Sequence, residues 1–209
     1  MKKIISLIFI VLIIGAGIYY WDYSKKNRPI PSNAVNMEYP LKDGSFTVIQ
    51  SGKFGDVHTA PIEQYAMDII KDGGIKSWFQ FRKAGLESNA SFGTPVYSPC
   101  FGNVKSVTND FPDILIGIEG KPSEANRVQI GCNGFNVLLV HFKKGSIAVK
   151  EGETVQIGQK VAEIGNSGRS AEPHLHIHVF KTNIATDTKI PLPITFNGKY
   201  FFRGDGFEN

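Results

Sequence analysis

The 209 residues, 42% of them hydrophobic, are enough for one domain with a packed core and a terminal segment, which excludes a wholly disordered chain. The net charge of +4 is mild, and the Lys and Arg residues are scattered among acids, so the basic stripe of a nucleic-acid-binding protein is absent. Twenty-two glycines and eleven prolines, mixed with β-branched residues, predict short strands joined by tight turns.

The N-terminal segment has the composition of a membrane anchor. Lys2 and Lys3 precede an uncharged, mainly aliphatic run over residues 4–21, and about 20 apolar residues suffice to cross a bilayer. We therefore expect a transmembrane anchor at residues 1–23. The alternative is a signal peptide that is cleaved near the small residues at 15–17. Basic residues lie on both sides of the run, so the positive-inside rule hardly orients it.

A polar, proline-containing linker is expected at residues 24–36, followed by a single mostly β domain at residues 37–209. From about residue 182 the domain continues in a C-terminal extension that is rich in Pro, Gly and Phe. The strand candidates within the domain are Phe46–Gln50, Tyr65–Ile70, Val96–Ser98, Val104–Thr108, Val128–Ile130, Asn136–Phe142, Lys160–Ile164 and His174–Phe180.

The chain has two cysteines, Cys100 and Cys132, and no pair at the spacing of a metal knuckle. An even number of cysteines in an exported chain permits one disulfide. The alternative is two buried free thiols. We predict the disulfide, conditional on export.

Three of the five histidines alternate along one predicted strand, at His174, His176 and His178. Alternate residues of a strand share a face, so the three imidazoles point the same way. They would repel one another if all were charged, and a bound metal removes that conflict. The intervening residues are apolar, so the strand belongs to a sheet. We interpret the row as a metal or catalytic site, the alternative being a solvated edge strand with chance histidines.

Asp68 lies in an apolar strand candidate, where a carboxylate needs a partner such as a metal or a buried donor. The alternative is an ordinary aspartate at the end of a strand. Carboxylate oxygen and imidazole nitrogen together are usual ligands of Zn²⁺, and a catalytic zinc typically has three protein ligands and one water.

Several blocks of the sequence occur in a recognisable order. Residues 93–99 read GTPVYSP, residues 101–104 read FGNV, residues 136–142 read NVLLVHF, and residues 149–168 read VKEGETVQIGQKVAEIGNSG. Followed by the Pro-His-Leu-His strand, these blocks resemble the lysostaphin/LytM-type zinc endopeptidases that cleave peptidoglycan. The resemblance covers about residues 64–180.

The resemblance implies a compact antiparallel β-sandwich, a duplicated hybrid motif, with a groove over one sheet and one Zn²⁺ ion. In the family, the zinc is held by the His and Asp of an H-x-x-x-D motif and by the second His of H-x-H. The matching positions here are Gln64, Asp68 and His176. The resemblance assigns His141 and His174 to orienting and activating the attacking water and to stabilising the oxyanion.

Gln64 departs from the family pattern, because a neutral amide oxygen is a much poorer ligand for Zn²⁺ than imidazole. His58 is the histidine left without a role, and some family members carry a similar His before a Gln-x-x-Ala-x-Asp segment. We expect His58 to supply the missing nitrogen, with Gln64 hydrogen-bonding a ligand or the water, or acting as the alternative ligand. A surface-loop histidine is the other interpretation of His58, and His178 is interpreted as an extra residue on the face of the strand.

The predicted function is a zinc metalloendopeptidase that hydrolyses peptide bonds of peptidoglycan in the bacterial cell envelope. The domain would face the periplasm or cell surface, attached to the membrane, or be secreted if the N-terminal segment is cleaved. The alternative is a non-catalytic envelope protein of the same fold that binds peptidoglycan or regulates another cell-wall hydrolase. The feature that favours this alternative is Gln64, which replaces a zinc-binding histidine of the family pattern. The sequence does not tell whether an activator protein is needed, and no nucleic-acid partner is expected.

Overall fold

The computed structural model describes residues 10, 12–17, 19–20, 23–24, 27–53, 57–73 and 85–209. The chain divides into two compact units, Met1–Ser32 and Asn33–Asn209. In the first unit, residues 10, 12–17, 19–20 and 23–24 are helical. Within the residues that the structure describes, no helix is both long enough and apolar enough to cross a membrane. Much of the predicted anchor, including residues 1–9, lies outside the described residues.

The second unit is built of short strands, which confirms the prediction of a mostly β domain. Its helical segments in the described ranges are the 3-10 turns Pro61–Glu63, Leu86–Ser88 and Pro122–Glu124. The strands are β1 (Val35–Met37), β2 (Ser45–Ser51), β3 (Met67–Lys71), β4 (Pro95–Tyr97), β5 (Gly102–Thr108), β6 (Arg127–Gly131), β7 (Asn136–Val140), β8 (Thr154–Val155), β9 (Lys160–Glu163), β10 (Leu175–Asn183), β11 (Thr188–Leu192), β12 (Ile194–Phe196), β13 (Lys199–Tyr200) and β14 (Gly206–Glu208).

One large sheet dominates the unit, with the strand order β14-β2-β3-β10-β7-β6-β5-β8 and β11 paired to β10. Every pair in this sheet is antiparallel. Two smaller sheets accompany it, β1-β12-β13 and β4-β9, and β1 runs parallel to β12. Each strand candidate from the sequence overlaps one of these strands. Among the described strands, the pairs are antiparallel as expected, except for β1 with β12.

Strand β10 lies between β3 and β7 and has two different faces. Leu175, Ile177 and Val179 are at most 1% exposed and belong to the hydrophobic core. Burial of each such side chain contributes about 1.5–3 kcal/mol. Because side chains alternate along a strand, burying this face turns the intervening histidines to the opposite face of the sheet.

The C-terminal extension is an integral part of the core. Phe196, Phe201 and Phe207 come from this extension, and all three pack against Tyr39 near the start of the unit, with ring centroids 4.6–6.2 Å apart. Aromatic pairs at this separation add about 0.5–1.5 kcal/mol each beyond the burial of their area.

The first strand begins slightly before the predicted start of the domain. Val35 and Asn36, which the sequence assigns to the linker, lie in β1, where Val35 pairs with Ile194 and packs against the core. The parallel pairing to a C-terminal strand could not be foreseen from the linker's own composition.

Cys100 and Cys132 are joined by a disulfide, with Cα atoms 6.1 Å apart. Cys100 precedes β5 and Cys132 follows β6, and the pairing of Asn103 with Gly131 brings the two cysteines together. The bridge therefore links the ends of two neighbouring strands in the large sheet.

Candidate metal centre

A groove of about 830 Å³ lies over the face of the large sheet opposite the core. All five histidines of the chain and Asp68 line this groove. Each of these six side chains is nearly buried, with 6–8% exposure. The groove thus gathers every histidine around one carboxylate.

Asp68 and His176 meet because their strands pair in register. Asp68 of β3 lies directly opposite His176 of β10. Directly paired residues project to the same face of a sheet, and Asp68 Oδ1 lies 2.8 Å from His176 Nδ1. The register of the sheet therefore fixes this half of the cluster.

His58 reaches the same carboxylate from the connection between β2 and β3. Its Nε2 lies 3.1 Å from Asp68 Oδ1, and its Nδ1 lies 3.0 Å from the carbonyl oxygen of Gly52. Since a carbonyl can only accept, Nδ1 donates to Gly52 and Nε2 is the ring nitrogen that faces Asp68. The backbone of His58 has a φ of 55°, a left-handed conformation that is uncommon for non-glycine residues. The structure therefore does not place His58 on a surface loop.

Gln64, expected beside a ligand or as the alternative ligand, is not among the residues that line the groove. Its side chain is exposed, and its amide nitrogen donates to the hydroxyl of Tyr65 at 3.2 Å. Gln64 closes the 3-10 turn Pro61–Glu63, with its own N–H bonded to the carbonyl of Pro61. This turn directs the amide away from Asp68.

His58, Asp68 and His176 offer three ligand atoms that all lie within 4.8 Å of one another. Ligands at zinc's usual bond lengths of about 2.0–2.2 Å in a tetrahedron lie about 3.4 Å apart. Two imidazole nitrogens and one carboxylate oxygen are a donor set typical of catalytic zinc. The residues present therefore fit a zinc ion.

His141 and His174 flank these three residues. Their ring centroids are 4.7 Å apart, and Nε2 of His174 is 3.6 Å from Asp68 Oδ1. Nδ1 of His141 donates to the carbonyl of Ser167 at 2.7 Å, and Nδ1 of His174 donates to that of Glu172 at 2.7 Å. In both rings, as in His58, Nδ1 is bonded to the backbone, and Nε2 is the other ring nitrogen.

Burial and mutual charge control the ionisation of the cluster. Burial alone would raise the pKa of Asp68, but the charge of His174 and the hydrogen bonds from His176 and His58 hold that pKa well below its usual value. Burial opposes the charged form of His58, and its bond to Asp68 nevertheless raises its pKa. Burial, and then the charges of His174 and His176, lower the pKa of His141 to about 3.

Residues 82–188 match the model of Peptidase family M23, and they include His141, His174 and His176. The chain belongs to this family. The match begins after Asp68, so it does not cover His58, Gln64 or Asp68.

Two relatives are similar to this M23 chain over about half of its length. The peptidoglycan DD-endopeptidase ShyB of Vibrio cholerae is 34% identical over 112 residues, which cover 53% of this chain and 23% of ShyB. An uncharacterized metalloprotease of Haemophilus influenzae is 30% identical over 115 residues, 54% of this chain and 22% of that protein. The chain thus matches less than a quarter of the length of either relative.

Two solved structures resemble the M23 chain more distantly. The catalytic domain of the prophage-encoded M23 protein EnpA from Enterococcus faecalis is 22% identical with a TM-score of 0.47, covering 74% of this chain and 93% of that one. The M23 metalloprotease pseudoalterin is 15% identical with a TM-score of 0.47, covering 80% of this chain and 86% of that one.

Gln50 also lies in the groove, and sequence reasoning missed it. It is 6% exposed and lies opposite Asp68 in the β2–β3 ladder. A bulge between Val48 and Gln50 shifts the register there. Strict alternation from the buried Phe46 and Val48 would have turned Gln50 to the core, so no pattern in the sequence indicates its position.

Proposed function

We propose that this M23 domain is a zinc-dependent endopeptidase that hydrolyses peptide bonds in peptidoglycan. Family membership supports the hydrolase, and the relative named as a peptidoglycan DD-endopeptidase supports the substrate. The observation that carries the proposal is the position of Asp68, between His58 and His176 and beside two further imidazoles that expose Nε2 to one groove.

One zinc ion would be held by His58 Nε2, Asp68 Oδ1 and His176 Nδ1. When bound there, zinc supplies a Lewis acid that polarises the scissile carbonyl and lowers the pKa of water. The bond from His58 to Gly52 fixes the ring so that Nε2 faces Asp68, and such outer bonds typically orient metal-binding histidines.

His141 and His174 would handle protons in this reaction. Each ring is fixed by its bond from Nδ1 to a backbone carbonyl, so Nε2 is the atom that accepts a proton from the attacking water. Once protonated, the same Nε2–H can donate to the oxyanion or return the proton to the leaving amine. The depressed pKa of His141, about 3, favours its neutral, proton-accepting form at neutral pH.

The N-terminal segment suggests where the domain works. We propose that residues 1–23 anchor the chain in the membrane, that residues 24–34 form the linker, and that residues 35–209 form a lysostaphin-type sandwich outside the cytoplasm. The hydrophobic run at residues 4–21 supports the anchor. Protease added outside intact spheroplasts should digest the domain, and protection of the domain would contradict this location.

Hydrolysis of purified peptidoglycan sacculi by the full chain tests the function. The wild type should contain one zinc per chain and release soluble fragments. His176→Ala should lose the zinc and the release, whereas Gln64→Ala should keep both, because Gln64 does not reach the cluster. A wild type that holds zinc and binds sacculi without releasing fragments would favour the non-catalytic envelope protein.

A further inference from the structure

His178 is the one histidine of the groove that has no role in the proposed reaction. His58, His141 and His174 each donate Nδ1–H to a backbone carbonyl. His176 differs, because its Nδ1 faces Asp68 and its outer nitrogen, Nε2, lies 3.0 Å from Nδ1 of His178. The other three imidazoles have a backbone carbonyl as their acceptor, whereas the acceptor for His176 is a side chain.

We propose that His178 is a positioning residue, which accepts the Nε2–H of His176 and so holds Nδ1 of that ring towards the metal. This inference rests on the proposed function, since it takes His176 as a zinc ligand through Nδ1. His178 accepts through Nδ1 and therefore carries its own proton on Nε2.

The position of His176 in the sheet explains why a side chain is needed. It pairs with Asp68 on β3 and with Val140 on β7, so the strand is bonded on both edges at this point. The backbone carbonyls of such a central strand lie in the ladders and do not project over the face. The next residue on the same face is two positions along the strand, and that residue is His178.

The bond becomes more important once a metal ion is bound. Without metal, His176 has two partners, Asp68 and His178, one at each ring nitrogen. A bound metal ion would occupy Nδ1, and the bond to His178 would then be the hydrogen bond that still fixes the rotation of the ring. Outer partners of this kind raise metal affinity by about 10–100-fold.

Zinc affinity of the full chain tests the proposal, measured by competition with a chromogenic chelator. His178→Leu removes the acceptor and should raise the zinc Kd by about 10–100-fold. His178→Gln keeps an acceptor oxygen and should recover most of the affinity. Thermal unfolding of the metal-free proteins shows that both variants fold, and His178→Phe, which also lacks an acceptor, replaces the leucine variant if that one does not fold.

Two results would overturn the inference while leaving the proposed function intact. One is a folded leucine or phenylalanine variant that binds zinc as tightly as the wild type. The other is a glutamine variant as weak as the leucine variant, which would show that an acceptor at this position does not set the zinc affinity. A wild type that binds no zinc would instead reject the proposed function, and the role of His178 with it.

Discussion

Replacing His58 with alanine should cause most of the zinc affinity to be lost. His58 offers one of the three ligand atoms of the proposed zinc site, and its Nε2 lies 3.1 Å from Asp68 Oδ1. Losing a partner that merely orients a ligand costs about 10–100-fold in affinity. Losing a ligand atom itself should exceed this, so we expect a rise in Kd of more than about 100-fold, or about 2.7 kcal/mol.

Gln64→Ala is the matched control, because the resemblance places Gln64 at the first ligand position while its amide bonds to Tyr65. Both variants and the wild type would be compared by metal analysis after dialysis and by chelator competition. Gln64→Ala should retain the wild-type affinity to within about 2-fold, a difference of about 0.4 kcal/mol. Full zinc in His58→Ala together with loss of zinc in Gln64→Ala would refute the assignment.

Three further predictions concern the reaction and the stability of the domain. His174→Ala should keep its zinc and lose about 10²–10⁴-fold in kcat on sacculi, because it removes a proton-transferring group; loss of zinc would contradict this. Reducing the bond between Cys100 and Cys132, 32 residues apart, should lower the free energy of unfolding by about 3–4 kcal/mol in urea titrations; an unchanged midpoint would count against it. Burial lowers the pKa of His141 and His178 to about 3, so between pH 3 and an unfolded value of about 6.5 the unfolded chain binds more protons. The metal-free protein should therefore be less stable at pH 4 than at pH 7, and equal stability would contradict the buried, neutral state of these rings.

The histidine strand shows what a period of two can predict. Because Leu175 and Ile177 are apolar, the sequence predicts that one face of the strand enters the core and that His174 and His176 share the other. The structure has this arrangement, and the register with β3 adds Asp68 to it. Local composition sufficed here because the signal repeats within a single strand.

Other parts of the site depend on irregular backbone, which local patterns do not encode. His58 reaches Asp68 through a connection in which it takes a φ of 55°. Gln50 is turned into the groove by a bulge in β2. Gln64 is turned out of it by a 3-10 turn. In each case one or two backbone angles decide which way a side chain points. The periodicity of hydrophobic residues in the sequence does not indicate these angles.

The C-terminal strands escaped prediction for a different reason. Phe196, Phe201 and Phe207 are spaced too irregularly to indicate strands, and they become buried by packing against Tyr39 and one another. Contacts between the two ends of the domain are a property of its topology.

Anomalous diffraction at the zinc absorption edge, from crystals of the protein purified without chelator, tests the central claim most directly. The account predicts one peak, within about 2.0–2.2 Å of His58 Nε2, Asp68 Oδ1 and His176 Nδ1. A peak bonded to Gln64 instead of His58, or zinc-soaked crystals without a peak in the groove, would contradict it.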